Sequence, residues 1–371
     1  MTEVAAGGTV GSRDQMRRAL ELAKSGQGRT SPNPRVGAVL TRDGQVVGEG
    51  RHQRAGAAHA EVAALDQAGE LARGATLWVT LEPCCHTGRT GPCTERLLAA
   101  GVAEVHVATL DPNPKVRGGG VAQLRAAGVS VSVGEHEAEA TQLIREFAVW
   151  IVQGRPSVTL KFAMSLDGKV ATALGESQWI SSEPSRARAH LLRGEHDAVM
   201  VGSGTVLVDD PRLTARELPA GAHQPLRVIV DSRLRTPPSA RIFSTPGGPI
   251  LVATTDGRDA GREAALTAAG AEVLTLPAVD GRVPLSDLLQ RLGERQVTSL
   301  LVEGGPVLLG SFWEQRLGDR IAAFVAPILV GGAGAPGPLG GLGAPTLERS
   351  WRVRGLRAEP VGPDLLLTAE V

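Results

Sequence analysis

The sequence lacks the features that mark membrane, secreted and broadly nucleic-acid-binding proteins. No apolar run reaches the roughly 18 to 20 residues that a membrane-spanning helix needs. The first residues, MTEVAAGGTVGSRD, show no charged-then-apolar secretory pattern. The formal net charge is zero, from 39 basic and 39 acidic side chains, so a large footprint for nucleic acid or anionic lipid is not expected. These absences favour a cytoplasmic protein that binds neither nucleic acid nor membrane.

Cysteine is scarce as well, and its few copies are not spread along the chain. The three cysteines all lie between Cys84 and Cys93. A disulfide framework would scatter them through the sequence, so this cluster indicates metal binding instead.

The length and the alternation of elements predict two α/β domains. A chain of 371 residues exceeds what one hydrophobic core normally organises. Strand and helix patterns alternate from Arg13 to about Gly134, and a single helix is predicted over 135–153 before Gly154-Arg155-Pro156 stops it. The alternation then restarts, with RIAAFVAPILVGG (320–332) among the predicted strands. We therefore expect a disordered extension at 1–12, a first domain at 13–154 and a second at 155–371.

Two loop segments are predicted from glycine and proline. Asp43-Gly44 lies between two apolar strand patterns and is a strong signal for a hairpin. The stretch 331–345 (GGAGAPGPLGGLGAP) is predicted to be a mobile surface loop.

The feature that points most directly to chemistry is His59-Ala60-Glu61, followed by Pro83-Cys84 and then Cys93. One imidazole and two thiolates are natural zinc ligands, and three protein ligands leave the fourth tetrahedral position open, as in catalytic sites. Glu61 is placed to carry a proton between water and a departing amine. Residues i and i+2 do not share a helix face, so His59 and Glu61 converge only if the first turn of the helix borders the pocket. Cys85 is a possible rival ligand, but consecutive residues point apart.

Several segments resemble one known family. TLEPCCHTGRTGPC, SPNPRVGAVL, HQRAGAAHAEVAAL and DPNPKVRGGG are similar to the RibD family of bifunctional deaminase/reductases of riboflavin biosynthesis. VTLKFAMSLDGKVA, GESQWIS, GSGTVLVDDPRLTAR and VIVDSRLR are similar to the C-terminal half of the same family. The resemblance implies a cytidine-deaminase-like three-layer domain followed by a dihydrofolate-reductase-like domain. It also implies two cofactors, Zn²⁺ and NADPH, and two successive steps on one phosphoribosylaminopyrimidine.

For the first domain, the resemblance implies a role for each matching position. His59, Cys84 and Cys93 match zinc ligands, and Glu61 matches the proton shuttle. Contacts to the deaminase substrate are implied for Asn33, His52, His86 and Arg89, the last two at its phosphate. Cys85 stands where the family pattern has Ser, and Gly91 where it has Pro, which puts the conformation of this loop in doubt.

In the second domain, LVEGGPVLLGSFWE (301–314) reads as strand, glycine turn and helix, a place where a backbone can approach a phosphate. A bare strand-to-helix turn explains the same pattern equally well. The resemblance implies a cofactor site formed by Ala163, Trp179, Thr205, Asp209, Ser232, Gly305, Pro306, Val307, Leu308, Leu309, Gly310 and Ser311. It implies a reductase substrate site formed by Ser177, Arg193, Leu213, Arg216 and Glu303.

The arginines of this half have two interpretations. Arg233 and Arg235 beside Ser232 suit the 2′-phosphate of NADPH, and Arg193 and Arg216 suit the phosphate of the substrate. All four are equally compatible with solvated surface arginines. No general acid for the reduction is indicated. The family resemblance suggests a homo-oligomer, a dimer or tetramer, formed through this half.

Two other functions are compatible with part of the pattern. A nucleic-acid-editing deaminase would carry the same zinc motif, but the neutral charge disfavours it. A zinc-stabilised binding module without catalysis is disfavoured by Glu61 and by the open ligand position.

Overall fold

The computed structural model describes residues 12–86, 91–218 and 223–371. The chain divides into two compact units, with the division between Gly154 and Arg155. Of the extension expected at 1–12, residues 1–11 lie outside the described residues, whereas Ser12 begins a helix.

The first unit is built on a five-stranded mixed sheet. Its strands are β1 (Gly37–Arg42), β2 (Gln45–Arg51), β3 (Thr76–Leu81), β4 (Glu104–Thr109) and β5 (Ser130–Val133). Its helices are α1 (Ser12–Lys24), α2 (Ala60–Ala68), α3 (Cys93–Ala100), α4 (Gly119–Ala126), α5 (Glu137–Leu143) and α6 (Arg145–Gln153). The strand order is β2-β1-β3-β4-β5, in which β1 runs antiparallel to both neighbours and β3, β4 and β5 are parallel.

Alternate residues of the strands fill a separate core on each face of this sheet. Leu40 of β1 packs with Ala64 of α2 and Leu124 of α4 on one face. Val39 of β1 packs with Leu20 of α1 on the other face. Successive side chains of a strand point to opposite faces, so the sheet is covered by helices on both sides. The predicted three-layer α/β architecture is confirmed.

Glycine in β2 brings the helix that carries the metal motif close to the sheet. A Cβ added at Gly50 would lie only 2.0 Å from the backbone oxygen of Ala60, the first residue of α2. Only glycine permits this approach, which seats the N-terminal end of α2 directly on the strand. The preceding hairpin turns at Asp43 and Gly44, whose φ angles of 50° and 76° suit the predicted two-residue turn.

The single helix predicted over 135–153 is wrong, because the chain bends at Ile144. This residue has φ −103° and ψ 8°, and it separates α5 from α6. Leu143 packs into the core beneath α1, whereas Ile144 is buried in the core on the opposite face. A continuous helix could not deliver adjacent side chains to two different cores.

The second unit contains a nine-stranded sheet. Its strands are β6 (Ser157–Ser165), β7 (Ala198–Gly202), β8 (Leu226–Val230), β9 (Ile250–Thr255), β10 (Glu272–Leu276), β11 (Ser299–Val302), β12 (Arg320–Ala326), β13 (Arg354–Val361) and β14 (Asp364–Glu370). Its helices are α7 (Glu183–Glu195), α8 (Ser203–Asp209), α9 (Arg241–Ser244), α10 (Ala260–Ala268), α11 (Leu285–Glu294) and α12 (Pro306–Glu314). The order is β10-β9-β8-β7-β11-β6-β12-β14-β13, parallel as far as β12, with β14 and β13 antiparallel.

The structure of this unit differs from the sequence predictions in one strand boundary and in two elements that were not predicted. The strand predicted over 320–332 ends at Ala326, immediately before Pro327, which cannot donate a backbone hydrogen bond. Strand β13 and helix α8 were not predicted at all. The glycine- and proline-rich loop 331–345 is largely exposed, as predicted, and two hydrogen bonds tie it to the unit: the Gly340 N–H donates to the Pro306 oxygen at 2.8 Å and Lys169 Nζ donates to the Ala335 oxygen at 2.9 Å.

No helix among the described residues is long and apolar enough to cross a membrane.

Candidate active sites

The three predicted metal ligands of the first unit lie at the ends of separate elements. His59 is the residue immediately before α2, Cys84 follows β3, and Cys93 is the first residue of α3. Their ligand atoms all lie within 4.8 Å of one another. His59 Nδ1 is 3.1 Å from the sulfur of Cys93 and 3.6 Å from that of Cys84. Within the described parts of the chain, this is the one group of three or more His, Cys, Asp or Glu side chains that converges in this way.

The chemistry of this cluster fits a zinc ion. The Cys93 backbone N–H donates to the Cys84 sulfur at 3.3 Å. Hydrogen bonds from the Cys93 side chain and from His59 lower the pKa of the Cys84 thiol to about 4, against the opposing effect of burial. A nitrogen and two sulfurs in which a thiolate is favoured are the donor set of a catalytic zinc site.

Glu61 lies in the first turn of α2 and its side chain is buried. Burial raises the pKa of its carboxyl to about 6. A carboxyl group with a pKa near neutrality can both accept and release a proton. The Glu61 carboxyl interacts with His59 and with the Cys93 side chain. The first turn of α2 therefore borders the cluster, which is the condition that the His-x-Glu spacing imposes.

Asn33 and His52 form a hydrogen-bonded pair beside the cluster. His52 Nδ1 donates to the Ala58 oxygen at 3.1 Å, so its Nε2 accepts from Asn33 Nδ2 at 3.0 Å. Burial lowers the pKa of His52, which keeps its ring neutral. The His52 ring meets that of His59 edge-on, with the centroids 5.7 Å apart.

The inserted loop after Cys84 is described only in part. His86 is half-buried and its Nδ1 has no hydrogen-bond partner among the described residues. Arg89 lies outside the described residues. Cys85 is not part of the cluster, and its sulfur is 3.0 Å from the position that a Cβ on Gly119 would occupy.

Glu82, which sequence reasoning missed, stabilises the backbone next to this site through hydrogen bonds. Its buried carboxylate accepts hydrogen bonds from the backbone N–H groups of Asp111 at 3.1 Å, Gly118 at 2.8 Å and Val121 at 3.0 Å. It thereby ties the segment DPNPKVRGGG to the end of β3, two residues before Cys84. A carboxylate directly after the apolar strand TLWVTL was the available signal.

The second unit holds a cavity of about 1850 Å³. The structure brings all the predicted reductase residues except Gly310 to its walls. They are Ala163, Ser177, Trp179, Arg193, Thr205, Asp209, Leu213, Arg216, Ser232, Glu303, Gly305, Pro306, Val307, Leu308, Leu309 and Ser311.

The predicted glycine turn forms one wall of the cavity. Gly305 precedes α12, and its N–H donates to Thr205 Oγ1 at 3.2 Å. The side chain of Val307 is 72% exposed, whereas that of Leu309 is buried in the core beneath it. Gly310 is not among the residues that line the cavity, and a Cβ there would lie 2.3 Å from the Gly340 oxygen. This glycine permits close packing of the 331–345 loop, and its expected cofactor contact stays a prediction.

A group of charged side chains crosses the floor of the cavity. Both oxygens of Glu303 are bound by Arg193, with Nε–Oε1 at 2.6 Å and Nη2–Oε2 at 2.9 Å. Lys161, which sequence reasoning missed, places its Nζ 3.4 Å from Glu303 Oε2. The signal for Lys161 was a single charge inside the otherwise apolar and hydroxyl-bearing strand SVTLKFAMS.

The two arginines that were expected to hold a substrate phosphate differ in their surroundings. Besides its bonds to Glu303, Arg193 donates through Nη1 to the Thr214 oxygen at 3.2 Å. All its nitrogen atoms are therefore engaged, and its position suits fixing Glu303 rather than gripping a phosphate. Arg216 is exposed on the cavity wall.

The remaining polar groups surround the same cavity. Ser232 Oγ accepts from the Val283 N–H at 3.1 Å, and Arg235 Nη2 donates to Ser203 Oγ at 3.0 Å. Arg233 also lines the wall. Trp179 is 68% exposed, and its ring is stacked by the guanidinium of Arg186 at 4.6 Å. Trp179 is therefore a border of the cavity and not a core residue.

Comparison with known proteins accounts for both units. The family described as "Cytidine and deoxycytidylate deaminase zinc-binding region" matches residues 11–109, and that described as "RibD C-terminal domain" matches 156–367. The chain is 46% identical over 355 residues to the riboflavin biosynthesis protein RibD of Aquifex aeolicus, covering 96% of this chain and 97% of the relative. The chain belongs to the RibD family. The RibD of Escherichia coli strain K12 is 44% identical over 327 residues, covering 85% of this chain and 88% of the relative.

Solved RibD structures share the whole fold. A structure of Acinetobacter baumannii RibD matches with a TM-score of 0.85 and 38% identity, covering 96% of this chain and 98% of that one. A Thermotoga maritima structure matches with a TM-score of 0.81 and 34% identity, covering 96% of this chain and 98% of that one. It is named as a diaminohydroxyphosphoribosylaminopyrimidine deaminase/5-amino-6-(5-phosphoribosylamino)uracil reductase. This member of the RibD family is a deaminase and reductase of riboflavin biosynthesis that acts on a small molecule. Its cofactors are zinc and NADPH.

Proposed function

We propose that residues 13–154 remove an amino group from 2,5-diamino-6-(5-phosphoribosylamino)pyrimidin-4-one, and that residues 155–371 then reduce its ribosyl group to ribityl. The name of the Thermotoga maritima structure supports this pair of reactions. The separate zinc-ligand cluster and reductase cavity, one in each unit, support two sites.

In the deaminase, His59, Cys84 and Cys93 hold the zinc ion. Zinc supplies Lewis acidity, which makes water a nucleophile at neutral pH. Glu61 accepts the proton that this water loses and delivers it to the departing amino nitrogen, so water and the aminopyrimidine yield the pyrimidinone and ammonia. The buried position of Glu61 and its raised pKa support this double role.

The deaminase substrate lies against the other predicted positions of this unit. Asn33 and His52 orient the pyrimidine beside the cluster. His86 and Arg89 bind the ribose 5-phosphate, and the unpaired, buried Nδ1 of His86 supports an unfilled polar contact in this loop.

In the reductase, NADPH supplies the hydride and this chain supplies its position. The backbone around Gly305, at the N-terminal end of α12, would hold the pyrophosphate of the cofactor. Ser232, with Arg233 and Arg235 nearby, binds the 2′-phosphate. The full cofactor site consists of Ala163, Trp179, Thr205, Asp209, Ser232, Gly305, Pro306, Val307, Leu308, Leu309 and Ser311.

The reductase substrate occupies the other end of the cavity, against Ser177, Arg193, Leu213, Arg216 and Glu303. Arg216 binds its phosphate, because Arg193 is already taken up by Glu303. The reduction consumes one proton, and Lys161 is placed to donate it, since its ammonium group lies beside Glu303 in the cavity.

The assembly and location of the protein are part of this proposal. We expect a dimer or tetramer formed through the reductase half, in the cytoplasm. Strand β13 is at the edge of the nine-stranded sheet and is exposed from Arg354 to Pro360, which supports an interface there. Light scattering on the purified protein measures the mass directly.

The observation that carries the deaminase assignment is the convergence of His59, Cys84 and Cys93 beside the buried Glu61. Glu61→Gln keeps the shape of the side chain and removes its proton transfer. We expect ammonia release to fall by about 10² to 10⁴, while NADPH oxidation with the deaminated substrate persists and zinc content is unchanged. Glu95→Gln, at an exposed position of α3, is the matched control. Loss of both activities in a folded Glu61→Gln protein would refute two separate sites.

A further inference from the structure

The loop that carries Leu213 and Arg216 has an unfavourable backbone at two positions. Leu213 has φ 52° and Glu217 has φ 55°, both in the left-handed region that non-glycine residues rarely adopt. Such conformations persist only when the surrounding structure determines them. The shape of this part of the cavity wall therefore depends on what holds the loop.

The side-chain amide of Gln224 holds the residue immediately before Arg216. Its Oε1 accepts from the Ala215 N–H at 2.9 Å, and its Nε2 donates to the Ala215 oxygen at 2.9 Å. These two bonds reproduce the pairing of two residues in an antiparallel sheet. They fix the two peptide groups that flank the Cα atom of Ala215. They therefore also fix the backbone nitrogen of Arg216.

Among the described residues, other side chains make hydrogen bonds to the backbone of the loop upstream of this point. His190 Nδ1 donates to the Thr214 oxygen at 2.8 Å, as Arg193 Nη1 does at 3.2 Å. Arg227, buried and surrounded by backbone oxygens, reaches the Arg212 oxygen at 3.4 Å. These hydrogen bonds anchor the loop in turn at Arg212, Thr214 and Ala215, and the last of them adjoins Arg216. Beyond Arg216, the side chain of Leu218 packs beside Gly194 of α7.

We infer that Gln224 is a positioning residue of the reductase: it directs Arg216 into the cavity and so sets the affinity for the phosphorylated end of the substrate. Arg216 is exposed and has a long, flexible side chain. Fixing its backbone lowers the entropy that it loses when it binds an anion. The inference rests on the proposed phosphate contact of Arg216. Gln224 itself touches the loop and acts through it.

The test compares Gln224→Met, Arg216→Ala and the double variant in the full-length protein. Methionine has the length of glutamine and makes neither hydrogen bond. We measure kcat and KM for the phosphorylated reductase substrate at saturating NADPH, and the inhibition constant of ribose 5-phosphate. Gln290→Met, at an exposed position of α11 away from the cavity, is the matched control.

We expect Gln224→Met to raise KM and the inhibition constant of ribose 5-phosphate by about fivefold, the loss expected for one to two hydrogen bonds, with kcat changed less than twofold. The double variant is expected to match Arg216→Ala alone, because the effect of Gln224 passes through Arg216. Weaker binding of ribose 5-phosphate distinguishes this role from a loss of folding, which would lower the active fraction and hence kcat.

Three outcomes would overturn the inference. If Arg216→Ala raises KM and Gln224→Met does not, Gln224 has no positioning role. If the two effects multiply in the double variant, Gln224 acts independently of Arg216. If Arg216→Ala itself leaves KM unchanged, the proposed phosphate contact fails, and the inference fails with it for that separate reason. Should Gln224→Met not fold, Gln224→Asn retains the amide but is too short for both bonds, and the same comparison applies.

Discussion

Arg193 and Glu303, 110 positions apart in the sequence, form a double hydrogen-bonded ion pair in the wall of the reductase cavity. The side chains are only 16% and 7% exposed. Removing one member of such a pair leaves an uncompensated buried charge, whereas removing both does not. The pair is therefore important for stability as well as for the site.

The first prediction concerns the loss of Arg193. Arg193→Met leaves Glu303 with Lys161 as its remaining cationic partner, and we expect the free energy of unfolding of this unit to fall by about 3 to 5 kcal/mol. Arg188→Met on the same helix breaks the more exposed pair with Glu195 and is expected to cost less than about 1 kcal/mol. Denaturant titration of both variants measures the difference. If both variants lower the free energy of unfolding equally, burial does not make the Arg193–Glu303 pair more important for stability than the exposed pair.

The second prediction concerns acid stability. Burial alone would raise the pKa of the Glu303 carboxyl, but Arg193 and Lys161 outweigh it and lower the pKa from 4.5 to about 2. Because the folded pKa is lowered, the contribution is complete above about pH 4.5 and is lost as the pH falls towards 2. It corresponds to about 3 kcal/mol.

This contribution is measured by comparing the wild type with Glu303→Gln. We expect the stability of the wild type to fall more steeply between about pH 4.5 and pH 2 than that of the variant, which has no carboxyl at this position. Parallel curves in this window would mean that Glu303 does not titrate as the structure indicates.

The third prediction separates the adjacent cysteines Cys84 and Cys85. We expect Cys85→Ser to keep its zinc and its ammonia release, because this sulfur lies outside the metal cluster. Cys84→Ser replaces a ligand, and its zinc content is expected to fall well below one ion per chain. Metal analysis of the two purified variants decides the question. A loss of zinc from Cys85→Ser would make this residue the ligand in place of a neighbour.

The zinc cluster could be predicted because its residues are close in sequence and lie at recognisable ends of elements. His59, Cys84 and Cys93 fall within the consecutive elements β2, α2, β3 and α3, where turn and helix signals are local. The charged group of the reductase could not be assembled in this way. Lys161 and Glu303 are 142 positions apart, and only the pairing of β6 with β11 brings them together.

The missed strand has a similar cause. The sequence of β13, RGLRAEPV, contains glycine and proline, which are depleted in strands, and its residues from Arg354 to Pro360 are exposed. Its extended conformation comes from pairing with β14, which is tertiary context that local propensity does not contain. The bend at Ile144 likewise depends on two cores that exist only after folding.

The last prediction tests the role of Gly310. The family resemblance placed this residue in the cofactor site, whereas the structure places it against Gly340, with no room for a Cβ. Gly310→Ala must push the 331–345 loop away from α12, and we expect it to lower the free energy of unfolding by about 1 to 3 kcal/mol. Gly257→Ala is the matched control, because a Cβ at Gly257 meets nothing within 4 Å. Denaturation of both variants, with KM for NADPH measured alongside, distinguishes the two roles: weaker NADPH binding in a protein of unchanged stability would return Gly310 to the cofactor site.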